Sequence, residues 1–198
     1  MVDVDNTTTE ENKTAEEETT STVATFNLDM FKEQWKRHEG FRATPYRDTK
    51  GIITVGYGHN LNMWPLPANL YPLSEEAAAA IFEEDRKLTE VFIDGVVPGL
   101  LDIKVSEPIR YFALMNVGMN IGANKLAKFH KMLDAIAEKD WETAAKELLN
   151  SKYARDVGDY APGSVKAKRW GRVGRAWELA EQLRTGEWVV TTDEQSAE

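Results

Sequence analysis

The chain has no cysteine among its 198 residues. That excludes a disulfide scaffold, a thiolate zinc site and a cysteine nucleophile. It also has no apolar run near the roughly 18 residues of a membrane span, which excludes an integral helical membrane protein. The first 20 residues carry neither a basic start nor an apolar core, so no secretory signal and no membrane anchor are expected. Basic residues are in deficit. There are 24 Lys and Arg against 33 Asp and Glu, a net charge of −9 that argues against a nucleic-acid binder.

The deficit is local. Residues 1–26 hold Asp3, Asp5, Glu10, Glu11, Glu16, Glu17 and Glu18 against Lys13 alone, with threonine filling much of the rest. Such a segment buries too little apolar surface to offset its ordering entropy and reads as a disordered acidic tail. Residues 191–198 add Asp193, Glu194 and Glu198 without a base, a second acidic tail. Between the tails the acids and bases balance.

Order begins at Asn27, a candidate N-cap, with Leu28, Phe31 and Trp35 at helical spacing and Gly40 placed to stop the helix. From Phe41 to His59 the pattern breaks into short runs. Ile52-Ile53-Thr54-Val55 is the strongest strand candidate, fed by a turn at Asp48-Thr49-Lys50-Gly51. A loop with Pro65, Pro67 and Pro72 leads to Ser74, which caps a long helix predicted to run to about Ile93, with Glu75 and Glu76 favourable in its first turn. Further helices are predicted at roughly 107–121, 124–138, 140–150 and 170–184. The fold class is α+β and predominantly α. The tails flank one domain over 27–190: a small β-containing lobe over about 27–73, a connecting helix over about 74–93 and a larger helical lobe over about 94–190.

The chemistry concentrates between His38 and His59. A carboxyl group, Glu39, ends a helix. A second, Asp48, sits in a turn nine residues on, and a hydroxyl, Thr54, follows on a strand. Glycosidic cleavage uses such a pair: one carboxylic acid protonates the leaving oxygen, and a carboxylate on the other face activates water. Desolvation beside Phe31 and Trp35 favours a neutral, proton-donating Glu39, whereas the polar glycine-flanked turn keeps Asp48 ionised. On spacing alone, a Glu and an Asp nine residues apart in a charged segment are usually ordinary surface residues. No Cys or His cluster near His59 supports a metal site.

The run Glu39-Gly40, Tyr46-x-Asp48-x-x-Gly51-x-x-Thr54-x-Gly56-x-Gly58-His59 resembles the signature of phage-type lysozymes, the glycoside hydrolase family 24 endolysins of the T-even-phage kind. The similarity continues through Ser74-Glu75-Glu76-Ala77-Ala78, Phe82 and Asp85; through Asn116 to Gly122, Phe129 and Trp141; and through Arg175-Ala176 to Trp188. It spans about residues 28–188. It implies a two-lobe lysozyme fold and a muramidase that hydrolyses the β-1,4 bond between N-acetylmuramic acid and N-acetylglucosamine in bacterial peptidoglycan, with no cofactor and with inversion. Glu39 is then the general acid, with Asp48 and Thr54 positioning or activating water. Arg175 pairs with Glu39, a contact that opposes the effect of desolvation on that carboxyl. His59 and Asp85 form a structural ion pair, and Asn120 takes the place of a cleft-lining amide.

Trp35, Trp141 and Trp177 fall on apolar helix faces and read as core, whereas Trp64 and Tyr71 suit a cleft rim. Lys166, Lys168, Arg169, Arg172 and Arg175 form a basic cluster in the part that departs most from the family, about 156–174. The implied role is a monomeric endolysin held in the host cytoplasm until a holin opens the way to the periplasm or cell wall. The alternatives are a virion-associated lysozyme used at entry, a lytic transglycosylase, or a non-catalytic wall-binding protein.

Overall fold

The computed structural model describes residues 27–48, 51–97, 99–100 and 102–189. The acidic segments at 1–26 and 191–198, and the turn residues Thr49 and Lys50, lie outside the described residues. Helix α1 covers 27–39 and ends at Gly40, whose φ of 69° lets its N–H return to the Lys36 carbonyl at 2.9 Å. Asn27 is itself helical rather than capping, and its Oδ1 accepts from the Trp188 indole at 2.9 Å. Phe31 is fully buried and stacks on Phe112 at 4.9 Å, and Trp35 stacks on Phe82 at 5.8 Å.

A three-stranded antiparallel sheet follows: β1 (Arg42–Arg47), β2 (Ile53–Gly56) and β3 (His59–Asn60). Strand β2 lies one residue beyond the predicted Ile52–Val55. Strand β1 carried no sequence signal, because its residues are mostly exposed and include Pro45, and a bulge separates its two paired ends. The turn between β1 and β2 closes through Gly51 N–H to the Asp48 carbonyl at 3.0 Å.

Helix α2 (Glu75–Val96) starts at Ser74, whose hydroxyl accepts from the Ala77 N–H, and runs three residues past the predicted end. It lies against β2 and β3, while Phe82 and Ile93 join the core. Then come α3 (Asp102–Ser106), α4 (Pro108–Ile121), α5 (Ala123–Leu126), α6 (His130–Ala137), α7 (Trp141–Leu149), α8 (Lys152–Val157), α9 (Val165–Trp170) and α10 (Arg175–Thr185). Helix α4 is buried along eight consecutive residues from Tyr111 to Gly118 and forms the centre against which α2, α3, α5 and α10 pack.

Two predicted helices are divided. The 124–138 segment splits into α5 and α6 around Phe129, whose backbone is non-helical. The 170–184 segment starts later: Gly171, at φ 62°, ends α9, and α10 begins after Gly174. Helices α3, α8 and most of α9 carried no sequence prediction, since five or six residues are too few to display a hydrophobic period. Among the described residues no helix is long and apolar enough to cross a membrane.

Candidate active site

Glu39 is the last helical residue of α1. Its Oε1 accepts from Arg175 Nη1 at 2.5 Å and from Asn120 Nδ2 at 3.4 Å. Its Oε2 faces Gly58, where an added Cβ would come within 3.3 Å of it. Gly58 has φ 94°, so the β2–β3 turn both needs glycine and leaves room for this oxygen. The turn is tied to α1 by the Trp35 indole, which donates to the Tyr57 carbonyl at 2.9 Å.

Strand register gathers the remaining groups. Tyr46 pairs with Thr54 across β1 and β2, and Thr54 pairs with Asn60 across β2 and β3, so these three share a face. Thr54 is buried, and its hydroxyl donates to the Ile52 carbonyl at 3.3 Å, leaving its lone pairs to accept. Asp48 follows β1 directly, and its Oδ1 accepts from the Ile52 N–H at 2.8 Å. Burial pushes the Tyr46 hydroxyl pKa up, and the carboxylates of both Glu39 and Asp48 push it further, with Arg42 opposing. One phenol thus feels both acids.

Arg175, the first residue of α10, is held from three sides. Its guanidinium lies 4.8 Å from the Trp35 ring centre, and its Nε and Nη2 donate to Asn116 Oδ1 at 3.0 and 2.7 Å. Tyr153 of α8 is buried close by. Burial raises its pKa, with Arg175 opposing and Glu39 adding to the rise.

Behind Arg175 sits a polar network for which the sequence reading offered no candidate. Glu178, one turn further along α10, is 1% exposed. It accepts from Arg37 Nη2 at 2.5 Å, Gln34 Nε2 at 2.8 Å and His38 Nε2 at 2.9 Å. Burial works against its charge, yet the hydrogen bonds from His38 and Arg37 hold its pKa down to about 2. Gln34 and Glu178 face each other 144 residues apart in sequence, so no local pattern announces the pair. The usable signal was a glutamate at an apolar helix position, between Trp177 and Leu179.

His59 stands apart from this constellation. Its Nδ1 meets Asp85 Oδ2 at 2.8 Å and its Nε2 meets the Trp64 carbonyl at 2.8 Å, which fastens β3 to α2 and to the proline loop. Desolvation depresses its pKa, but the bonds to Asp85 outweigh this and the net shift is upward. Among the tryptophans, Trp35 is buried, whereas Trp141 and Trp177 are only half-buried. The Arg110 guanidinium covers the Trp141 ring at 4.5 Å. Trp64 is exposed on the proline loop, and Tyr71 is half-buried against the core.

A cavity of about 760 Å³ adjoins Asn120, between α5, α6, α7 and α8. Phe129, Met132 and Tyr153 line it, with Lys125, Lys128, Lys131 and Lys152 alongside Glu147 and Asp156, and Lys152 is paired to Asp156 at 2.9 Å. The cluster of Lys166, Lys168, Arg169 and Arg172 lies on the exposed α9 segment, where Lys166 approaches Asp159 at 3.8 Å.

Comparison with known proteins places this geometry among relatives. A family model described as phage lysozyme matches residues 36–170, a span that holds Glu39, Asp48 and Thr54 but stops short of Arg175 and Glu178. The chain is 30% identical over 146 residues to "Probable T4-type lysozyme 1" of Dictyostelium discoideum, covering 64% of this chain and 85% of that one. It is 30% identical over 141 residues to "Pre-baseplate central spike protein Gp5" of Enterobacteria phage T4, covering 61% of this chain and 24% of that protein. It is also 27% identical over 142 residues to the "Endolysin" of Acyrthosiphon pisum secondary endosymbiont phage 1, covering 69% and 74%.

Proposed function

From the premise that this chain belongs to the phage lysozyme family, we propose that it cleaves the β-1,4 bond between N-acetylmuramic acid and N-acetylglucosamine by inverting hydrolysis. The observation that supports this reading is the Glu39 carboxyl, held by Arg175 and Asn120 and facing Gly58 at the turn that leaves the Thr54 strand. Glu39 is the general acid. With Oε1 engaged by Arg175 and Asn120, Oε2 is the atom that gives its proton to the glycosidic oxygen as the bond breaks. Positive charge grows on the muramic ring and water adds to C1 from the opposite face. Thr54 accepts a hydrogen bond from that water while Asp48 removes its proton, so the newly formed hemiacetal and the freed alcohol together take up one water. Arg175 and Asn120 fix the acid in position, and His59 with Asp85 holds the hairpin in place from outside.

The domain division follows the same reading: a small lobe over about 27–73 whose leading helix docks on the helical lobe, a connecting helix over about 74–93, a helical lobe over about 94–190, and an acidic tail at each end. Lys125, Lys128 and Lys131, on one side of the cavity beside Asn120, suit the carboxylates of the peptide stems that peptidoglycan carries. The role carried forward is that of an endolysin in host lysis, reached from the cytoplasm through a holin, with a virion role at entry as its alternative; relatives of both names match the chain. Replacing Glu39 by Gln tests the assignment: lysis of purified walls falls to background while the melting temperature stays close to that of the parent. Retained lysis in that variant would remove Glu39 from the reaction.

A further inference from the structure

We propose that His38 and Glu178 are positioning residues that set the direction of the Asn116 amide and, through it, hold Arg175 against Glu39. The inference rests on the reading of Glu39 given above and adds to it a control lying wholly behind the cleft. Asn116 is fully buried, and its Oδ1 is the acceptor for two Arg175 donors. A buried amide can sit either way round, so something must fix which end faces Arg175.

Two relays fix it, and both start at Glu178. As a carboxylate, Glu178 only accepts, so it requires a proton on His38 Nε2 at 2.9 Å. A neutral imidazole protonated there has its lone pair on Nδ1, which meets Asn116 Nδ2 at 3.4 Å. The other carboxylate oxygen requires the Gln34 amide nitrogen at 2.8 Å, which turns Gln34 Oε1 toward Asn116 Nδ2 at 3.3 Å. Both relays present an acceptor to the same NH2 group, so Oδ1 can only face Arg175. Arg37 closes the outer side of Glu178 and balances its charge.

Protonation of His38 would reverse this arrangement. Nδ1 would then carry a hydrogen directed at the Asn116 NH2, and two donors would face each other in a buried site. The amide must turn or move away, and Arg175 loses the acceptor that orients it. The charged groups facing His38 are Glu178 and Arg175 from α10 and Arg37 from its own helix. Burial and the two arginines keep the ring neutral to a pH below its ordinary range, while Glu178 opposes them. Around neutral pH the relay is therefore intact, and it fails on the acid side.

The test is steady-state kinetics on solubilised peptidoglycan strands across pH, with melting temperatures taken alongside. His38→Gln keeps one donor for Glu178 and one acceptor for Asn116 and cannot be protonated. It is expected to retain near-parental kcat at neutral pH and to sustain it to lower pH than the parent, down to the limb set by the carboxylates. His38→Leu breaks one relay and is expected to lower kcat about tenfold with KM little changed, as for a misplaced catalytic group. An acid limb that is identical in the parent and in His38→Gln overturns the proposal, whether or not His38→Leu folds. So does an unchanged kcat in a folded His38→Leu. Glu39→Gln run in parallel separates the two readings. If it is inactive while the His38 variants behave like the parent, only the relay is wrong. If it is fully active, the role of Glu39 falls and the relay falls with it.

Discussion

At Glu39 the two carboxylate oxygens have different tasks, and the chain around each is built accordingly. Oε1 is bound by Arg175 and Asn120, whereas Oε2 depends on the bare backbone of Gly58. Gly58→Ala would place a methyl group 3.3 Å from Oε2 and force a non-glycine residue to φ 94°. We expect kcat on peptidoglycan to fall by more than the fraction unfolded explains, with a stability loss of about 1–3 kcal/mol read from denaturant melts. The two engaged histidines titrate in opposite senses. The folded pKa of His59 is raised, so its bond to Asp85 contributes fully below the ordinary histidine value near 6.5 and is lost as pH rises through the folded pKa. That of His38 is lowered, so the folded state binds fewer protons and stability falls as pH drops from 6.5 through the folded value. Asp85→Asn is expected to cost about 2 kcal/mol in melts below pH 6.5 and much less at pH 9, with activity at permissive temperature nearly kept. A pH-independent loss would show that Asp85 acts through packing.

Among the elements, α10 matters most to the site, because its first turn carries both Arg175 and Glu178. That helix is aimed by a close backbone crossing. A Cβ on Gly174 would fall 2.4 Å from the Gly158 carbonyl oxygen, and the Ala176 N–H donates to that same carbonyl at 2.8 Å. Gly174→Ala should therefore displace the start of α10 and lower melting temperature and kcat together. A variant with unchanged kinetics would show that Arg175 is placed by its side-chain partners alone. What the sequence revealed tracks the range of the interactions. The α2 boundary was legible because Ser74, Glu75 and Glu76 act within one turn, and β2 was legible from four consecutive apolar or β-branched residues. Strand β1 was not, since an exposed strand containing proline has no period to read. The Glu39–Arg175 contact was inferred through a family resemblance and not through spacing. The Gln34–His38–Asn116–Glu178 network left one local trace, Glu178 at an apolar helix position, because its members come from three helices and meet only when these pack.

For the whole molecule, the net charge of −9 misleads if it is spread evenly. Its excess lies at 1–26 and 191–198, leaving a balanced body. Peptidoglycan is itself anionic, so removing residues 1–26 is expected to strengthen sedimentation with purified walls at low salt. The gain should vanish above about 0.5 M salt, where charges are screened within a few ångströms. Equal binding by both forms at low salt would show that the segment is electrostatically idle. Two features define the reaction: the bond that breaks and the water that enters. Purified peptidoglycan digested in ¹⁸O-labelled water, with the fragments weighed by mass spectrometry, reads both at once. We predict fragments ending in reducing N-acetylmuramic acid that carry one ¹⁸O atom, produced by the parent and not by Glu39→Gln. Unlabelled anhydromuramic ends, one water lighter, would contradict the account, as would reducing ends on N-acetylglucosamine.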